Sequence, residues 1–472
     1  MSASFLWRPL GWLLLCICCL PGIASAAEFD GARLGLLWTL PFVGILLTIA
    51  LLPLVSISAW HRHYGKLTLG WTLLFLLPFT WQFGAEATLD LGVHVLLAEY
   101  LPFIILLFAL YTISGGILLW GNLHGSPLLN TGLLAIGTLL ASLMGTTGSA
   151  MLLIRPLLRA NDNRRHNAHV VIFFILLVAN VGGGLTPLGD PPLFLGFLKG
   201  VDFFWTLRHM ALPVGLMSSL LLALFYVVDR ALYRREGELI ARDPTPDMPL
   251  RLYGKLNFLL LGGVLLAVLM SGLWKPGIGF ELLGYRVELQ NLLRDVALIG
   301  LALLSLRLTP KPVRAGNDFD WEPMLEVARL FAGIFLCIAP AIAILRAGSE
   351  GRLAWLLASV SDAQGVPVDS LYLWMTGALS SFLDNAPTYL VFFNLAAGDA
   401  QILMHEMPST LLAISVGSVF MGSLTYVGNA PNFMVKSIAE QRGVRMPSFF
   451  GYMLWSCGVM LPAMALLDWL LF

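Results

Sequence analysis

The sequence predicts an all-α polytopic membrane protein with about ten transmembrane helices and two re-entrant hairpins, arranged as two inverted repeats with interrupted helices. Three observations predict it. First, 58% of the 472 residues are hydrophobic and 12% charged, and apolar runs of about 20 residues recur to the end. Each run is long enough to cross a hydrocarbon core about 30 Å thick at 1.5 Å per residue. Second, two of the runs are broken by glycine and proline, in "GGLTPLGDPPLF" at 183–194 and "GSLTYVGNAPNF" at 422–433. Third, those breaks match at six of twelve positions, and their 239-residue offset also carries "SLMGTTGSAMLLI" at 142–154 onto "SFLDNAPTYLVFF" at 381–393. A large soluble domain would need far more polar residues to cover its surface. The formal net charge of zero gives no reason to expect a nucleic-acid partner.

Taken from the start, residues 1–26 read as a secretion signal. Arg8 supplies the positive start, "LGWLLLCICCLPG" the apolar middle, and "ASA" at Ala24 to Ala26 the cleavage site; an uncleaved anchor is the alternative. A signal feeding a polytopic chain points to a bacterial inner membrane. Cys16, Cys18 and Cys19 would leave with it, and Cys337 and Cys457 sit inside apolar runs, so neither a disulfide framework nor a cysteine metal site is expected. Spans follow at 33–55, 67–83, 101–120, 169–198, 210–229, 256–273, 290–308, 331–345, 408–434 and 449–471, with shorter hairpins at 131–155 and 371–398. This threading, begun outside, puts 19 of the 28 Lys and Arg in cytoplasmic loops and 8 outside, as the positive-inside rule requires.

The repeat then organises the chain. Residues 27–229 form one copy, 230–255 a cytoplasmic linker and 256–472 the second copy. Each copy is three spans, a hairpin and two more spans. Five crossings is an odd number, so the second copy lies upside down, and its hairpin opens on the opposite face. Inverted repeats with interrupted helices are the architecture of many secondary transporters.

A backbone amide left unpaired in hydrocarbon costs several kcal/mol, so irregular chain is tolerated only where protein or a water-filled cavity surrounds it. Gly182 to Gly184, Pro187 and Gly189 cannot continue a regular helix cheaply. Each break therefore makes two half-helices whose ends carry partial charges of about −0.5 and +0.5. Asp190 before Pro191 also fits a helix N-cap, and Asn429 before Ala430 and Pro431 repeats the pattern, so capping stands beside ion binding. An ionisable group within a span points by default to function. In "LYLWMTGALSSFLDNAPTYLVFFNL" the arms flanking Asp384 are short enough to bring Ser380, Ser381, Asp384, Asn385 and Thr388 to mid-depth. The other hairpin has a neutral tip of Thr146, Thr147 and Ser149. If the four breaks converge, the oxygen-rich surroundings suit a hard cation such as sodium, and Asp190 and Asp384 could instead take protons.

At these residues the sequence resembles the ion-transporter superfamily, which includes arsenite permeases, NhaD-type sodium/proton antiporters, the melanosomal P protein and citrate or divalent-anion transporters. "NVGGGLTPLGDPP" is similar to the family's Asn-x-Gly-Gly…Gly-Asp-Pro-Pro break, and "SSFLDNAP" to its Ser-x-x-x-Asp-Asn-x-Pro tip. The resemblance implies a scaffold plus a transport region, often dimeric, moving by an elevator-like slide. It implies one half-site at Asn180, Thr186, Gly189 and Asp190, and another at Asp384, Asn385, Thr425, Gly428 and Asn429. One departure stands out: "GTTGSAM" lacks the Asp-Asn expected of a sodium/proton antiporter tip and looks more like the anion-handling branches.

The leading expectation is a sodium:proton antiporter, with Asp384 and Asp190 holding sodium or protons and no other cofactor. The alternative is sodium- or proton-coupled transport of citrate or a related organic anion. Among enzymes, an intramembrane aspartyl protease would need two paired aspartates. The repeat partner of Asp190 is Asn429 and that of Asp384 is Gly145, so each carboxylate belongs to an ion-site break instead. His61, His63, His94, His209 and His405 read as residues at span ends or in loops.

Overall fold

The computed structural model describes residues 31–236 and 248–472. The expected signal at 1–26 lies outside the described residues, as does 237–247 of the expected linker. The chain is an all-α polytopic membrane protein. Among the described residues, nine helical stretches are long and apolar enough to cross a membrane. The first half contains α1 (Leu40–Val55), α2 (Ile57–His94), α3 (Leu101–Ser114), α4 (Pro127–Met144), α5 (Thr146–Ala160), α6 (Ala168–Leu177), α7 (Pro191–Leu198) and α8 (Phe203–Glu236). The second contains α9 (Leu256–Leu273), α10 (Leu289–Leu308), α11 (Lys311–Gly316), α12 (Glu322–Arg346), α13 (Ala354–Ser359), α14 (Asp369–Phe382), α15 (Asn385–Ala396), α16 (Ala400–His405), α17 (Pro408–Met421), α18 (Ala430–Gln441) and α19 (Phe449–Leu471).

Residues 84–100, expected as a loop between the second and third spans, are helical instead. Gly84 alone reverses the chain, with φ 90° and ψ 163° inside α2, a conformation that only glycine adopts without strain. Thr88 Oγ1 donates to Thr80 Oγ1 across it at 3.0 Å. Residues eight apart in a straight helix stand about 12 Å apart, so the helix folds back on itself there. The third span thus starts just after Gly84 and runs through a π-helical stretch, Val95–Tyr100, into α3. "AEATLD" carries too much charge to read as membrane helix, which is why composition misplaced this span.

The expected span 101–120 also ends early. α3 stops at Ser114, and β1 (Leu118–Asn122) pairs antiparallel with β2 (Met248–Tyr253) from the far end of the linker. A second hairpin, β3 (Gly279–Leu282) and β4 (Tyr285–Glu288), joins α9 to α10.

The first hairpin, α4–α5, is longer than the expected 131–155 at both ends. Its base is closed by Gly125 N–H donating to Ala160 O, and Ser126 accepts from Leu129 N–H at 3.2 Å to cap α4. Beyond the base lies a buried ionic knot. Arg164 Nη1 meets Asp229 Oδ1 at 2.7 Å with both side chains fully buried, and Arg164 Nε reaches Glu236 at 3.3 Å. His169 Nε2 lies 2.8 Å from the same Asp229 oxygen, while Asn130 Nδ2 donates to the other at 3.0 Å. Asn161 and Asn130 exchange amide bonds at 2.8 and 2.9 Å. The knot ties α4, the end of α5, α6 and the end of α8 together.

Candidate functional site

Both broken runs fold as foreseen: a helix, a short 3₁₀ turn, an extended pair of residues and a second helix. In the first break α6 gives way to a turn at Val181–Leu185, and α7 starts after Asp190. In the second, α17 gives way to Gly422–Leu424, and α18 starts after Asn429. For Asp190 and Asn429 the sequence left capping open beside ion binding. Neither Asp190 nor Asn429 caps its own helix, whereas Asp384 Oδ1 accepts from Ala386 N–H at 3.2 Å and caps α15.

Freed from capping, the Asp190 carboxylate points into the other three breaks. Its Oδ2 accepts from Asn385 Nδ2 at 2.6 Å, and its Oδ1 from Asn429 Nδ2 and Thr146 Oγ1 at 3.2 and 3.3 Å. These partners are the first residues of α15 and α5 and the residue before α18. Four helix N-termini therefore converge on one buried carboxylate, which is 1% exposed. Asn180 joins by accepting from Asn429 at 3.2 Å and donating to Asn432 Oδ1 at 2.7 Å. Asp384, half-buried, precedes Asn385, so the two carboxylates stand on adjoining helix ends. Asn385 Oδ1 is buried and has no hydrogen-bond partner among the described residues.

The 239-residue offset survives as a set of matched bonds. Thr186 Oγ1 donates to Ser142 O and Thr425 Oγ1 to Ser381 O, each at 2.5 Å. Ser142 Oγ donates to Gly182 O at 2.5 Å, and Ser381 Oγ to Met421 O at 3.0 Å. Leu188 N–H and Val427 N–H each reach their threonine hydroxyl at 3.2 Å. In both halves the break is laced to its own hairpin. Gly189 and Gly428 are needed for the tight return: a Cβ would stand 2.2 Å from Gly183 O at the first and 2.6 Å from Gly422 O at the second. Both contacts are with backbone, which cannot rotate away. Gly189→Ala should thus lower stability by about 2 kcal/mol or more, read as a fall in the melting temperature of detergent-solubilised protein, with Gly215→Ala, which meets nothing, as control.

Of the residues singled out from sequence, Asp190, Asn180, Asn385, Asn429 and Thr146 form the connected cluster. Thr186 and Thr425 lie beside it but commit their hydroxyls to the lacing. Ser381 does the same, also donating to Gly377 O at 2.7 Å. Ser149 is turned away to Gly137 O at 2.8 Å. Thr147 is half-buried at the tip. Two residues were missed. Ser142 is the repeat partner of Ser381, so the offset alone could have found it. Asn432 donates to Gly422 O and Thr425 O at 2.9 Å and holds Asn180. Its repeat partner is Leu193, and nothing in the pattern marked it.

Chemically, this is a set of neutral donors and two carboxylates at the positive ends of four helices. Such ends favour negative charge, each with about half a positive charge. Residues 31–472 match the model of a family described as "Putative citrate transport". An uncharacterized transporter of Mycobacterium bovis is 25% identical over 327 residues, 68% of this chain and 71% of the relative. A 46 kDa membrane protein of Mycobacterium leprae is 24% identical over the same shares. An uncharacterized transporter of a Synechocystis species is 25% identical over 373 residues, 73% of this chain and 78% of the relative. The match spans nearly the whole length and takes in both hairpins and both breaks, so the chain belongs to this citrate-transport family and is a multi-pass membrane transporter rather than an enzyme.

Proposed function

We propose that the protein is an ion-coupled transporter of a carboxylate anion of the citrate class. The observation that carries this reading is the meeting of four helix N-termini at Asp190. Their summed partial charge of about +2 offsets Asp190 and Asp384, so a coupling cation or proton on either carboxylate leaves positive potential for a cargo carboxylate. The neutral tip "GTTGSAM" and the family description support the same reading. In this scheme the two laced break-and-hairpin units are inverted copies, and Asp190 and Asp384 take the coupling cation or proton. The orphan Asn385 Oδ1 adds an oxygen of the kind a hard cation uses. Proteoliposomes should accumulate labelled citrate under an imposed sodium or proton gradient. Absence of uptake for every di- and tricarboxylate offered would sink the proposal.

Sodium:proton antiport is the second reading, favoured by the two carboxylates on adjoining helix ends. It predicts sodium-dependent collapse of a pH gradient in everted vesicles with no carboxylate present. Asp384→Asn keeps a competent N-cap and removes only the charge, so full exchange in that variant would rule the second reading out.

A further inference from the structure

A cavity of about 710 Å³ lies on the face that the charge bias places outside. Its walls come from the π-helical stretch, the end of α9, β4 and the starts of α8 and α10. Its floor includes Leu195 of α7 and Leu390 of α15. Each leucine lies five residues past the start of the cluster, Asp190 in one helix and Asn385 in the other. At 1.5 Å per residue the floor is about 7.5 Å along two helices from the buried site.

The cavity's charges do not cancel. Its four carboxylates are all engaged. Glu99 pairs with Lys199, Glu288 with Arg286 at 3.1 Å, and Asp295 with Arg294 at 2.8 Å. Asp202 Oδ1 accepts from Phe204 N–H and Trp205 N–H at 2.7 and 3.0 Å. Arg208 and Lys275 also line the cavity and are exposed, and among the described residues neither has an ion-pair partner. Arg208 and Lys275 face one carboxylate without an ionic partner, Asp202, so the lining keeps a single surplus positive charge, which a concave space focuses on its interior.

We infer that this vestibule is a second, superficial binding site for a multivalent carboxylate, which gathers the anion directly above the buried cluster. The inference rests on the carboxylate reading for its choice of ligand. Arg208 and Lys275 hold the anion by charge, and the three ion pairs keep the remaining basic side chains in place around it. Binding here is electrostatic and open to water, so it weakens steeply with salt.

The full chain in phosphatidylcholine nanodiscs should bind citrate in a calorimetric titration at about 10 mM ionic strength, where the Debye length is about 30 Å. Performed in an Asp190→Asn background, which disables the buried site, the titration should still show that binding. Arg208→Gln with Lys275→Gln should weaken it about tenfold, the scale on which paired charges steer anions into a cleft. Arg208→Lys with Lys275→Arg should restore it. Both positions are exposed, so neither pair of changes threatens the fold. Failure of the Asp190→Asn protein to bind citrate, or equal binding by the double glutamine variant, overturns the vestibule. If the vestibule binds while proteoliposomes accumulate no carboxylate, the transport reading falls and the site stands.

Discussion

Asp190→Asn should abolish gradient-driven uptake, by about a hundredfold or more, in a protein that still folds. The carboxylate only accepts, from three donors: the Asn385 and Asn429 amides and the Thr146 hydroxyl. An amide in its place can accept through only one atom, so its NH₂ must face at least one of these donors. The loss of a hydrogen bond to a charged group is worth about 1.5–3 kcal/mol. Against that, the variant no longer buries a charge, which recovers part of the desolvation cost. Net stability therefore moves little, while the one charge shared by all four helix ends disappears. With it go the carboxylate that the proposed reading gives to the coupling cation or proton and the charged contact that joins the two hairpin tips, Thr146 and Asn385. Melting temperature beside initial uptake rate separates the two effects. A variant that transports at the wild-type rate would show that the cluster is only structural.

Arg164→Ala should be the most destabilising single change outside the cluster, by about 3–5 kcal/mol. Removing one partner of a buried ion pair leaves the other charged and unpaired, and that is the costly outcome. Asp229 would keep His169 and Asn130 but lose its only arginine, and Glu236 would keep the His166 N–H at 2.8 Å. Both carboxylates sit where water cannot repair the loss. Arg164→Ala combined with Asp229→Asn should recover part of the stability, because the orphaned charge is removed as well. Detergent melts of the single and double variants check this. Equal melting temperatures for Arg164→Ala and the parent would mean the knot is not held by charge.

Some of this was legible in the sequence and some was not, for physical reasons. The breaks were plain because glycine and proline inside an apolar run have few other uses. The hairpin tips were plain because the 239-residue offset tied them to the breaks. The turn at Gly84 was hidden, since one glycine does the work of a whole loop and the acidic residues after it disguise a helix. The ionic knot was hidden for another reason. "RPLLRANDNRRH" and "DRALYRRE" look like charges that orient a loop, and only the fold brings Arg164 against Asp229. Asn432 was silent because its repeat partner is leucine, so internal symmetry could not flag it.

The threonine-to-serine bonds that lace each break to its hairpin have a mechanical consequence. Thr186 and Ser142, like Thr425 and Ser381, couple segments more than forty residues apart through a backbone carbonyl, with no flexible side chain to stretch. A hairpin that opened alone would strip a buried threonine hydroxyl of its carbonyl acceptor and the serine carbonyl of that donor. On the proposed transport reading, opening and closing would therefore be motions of paired segments, each hairpin travelling with its own broken helix and the give lying in the contacts between those pieces.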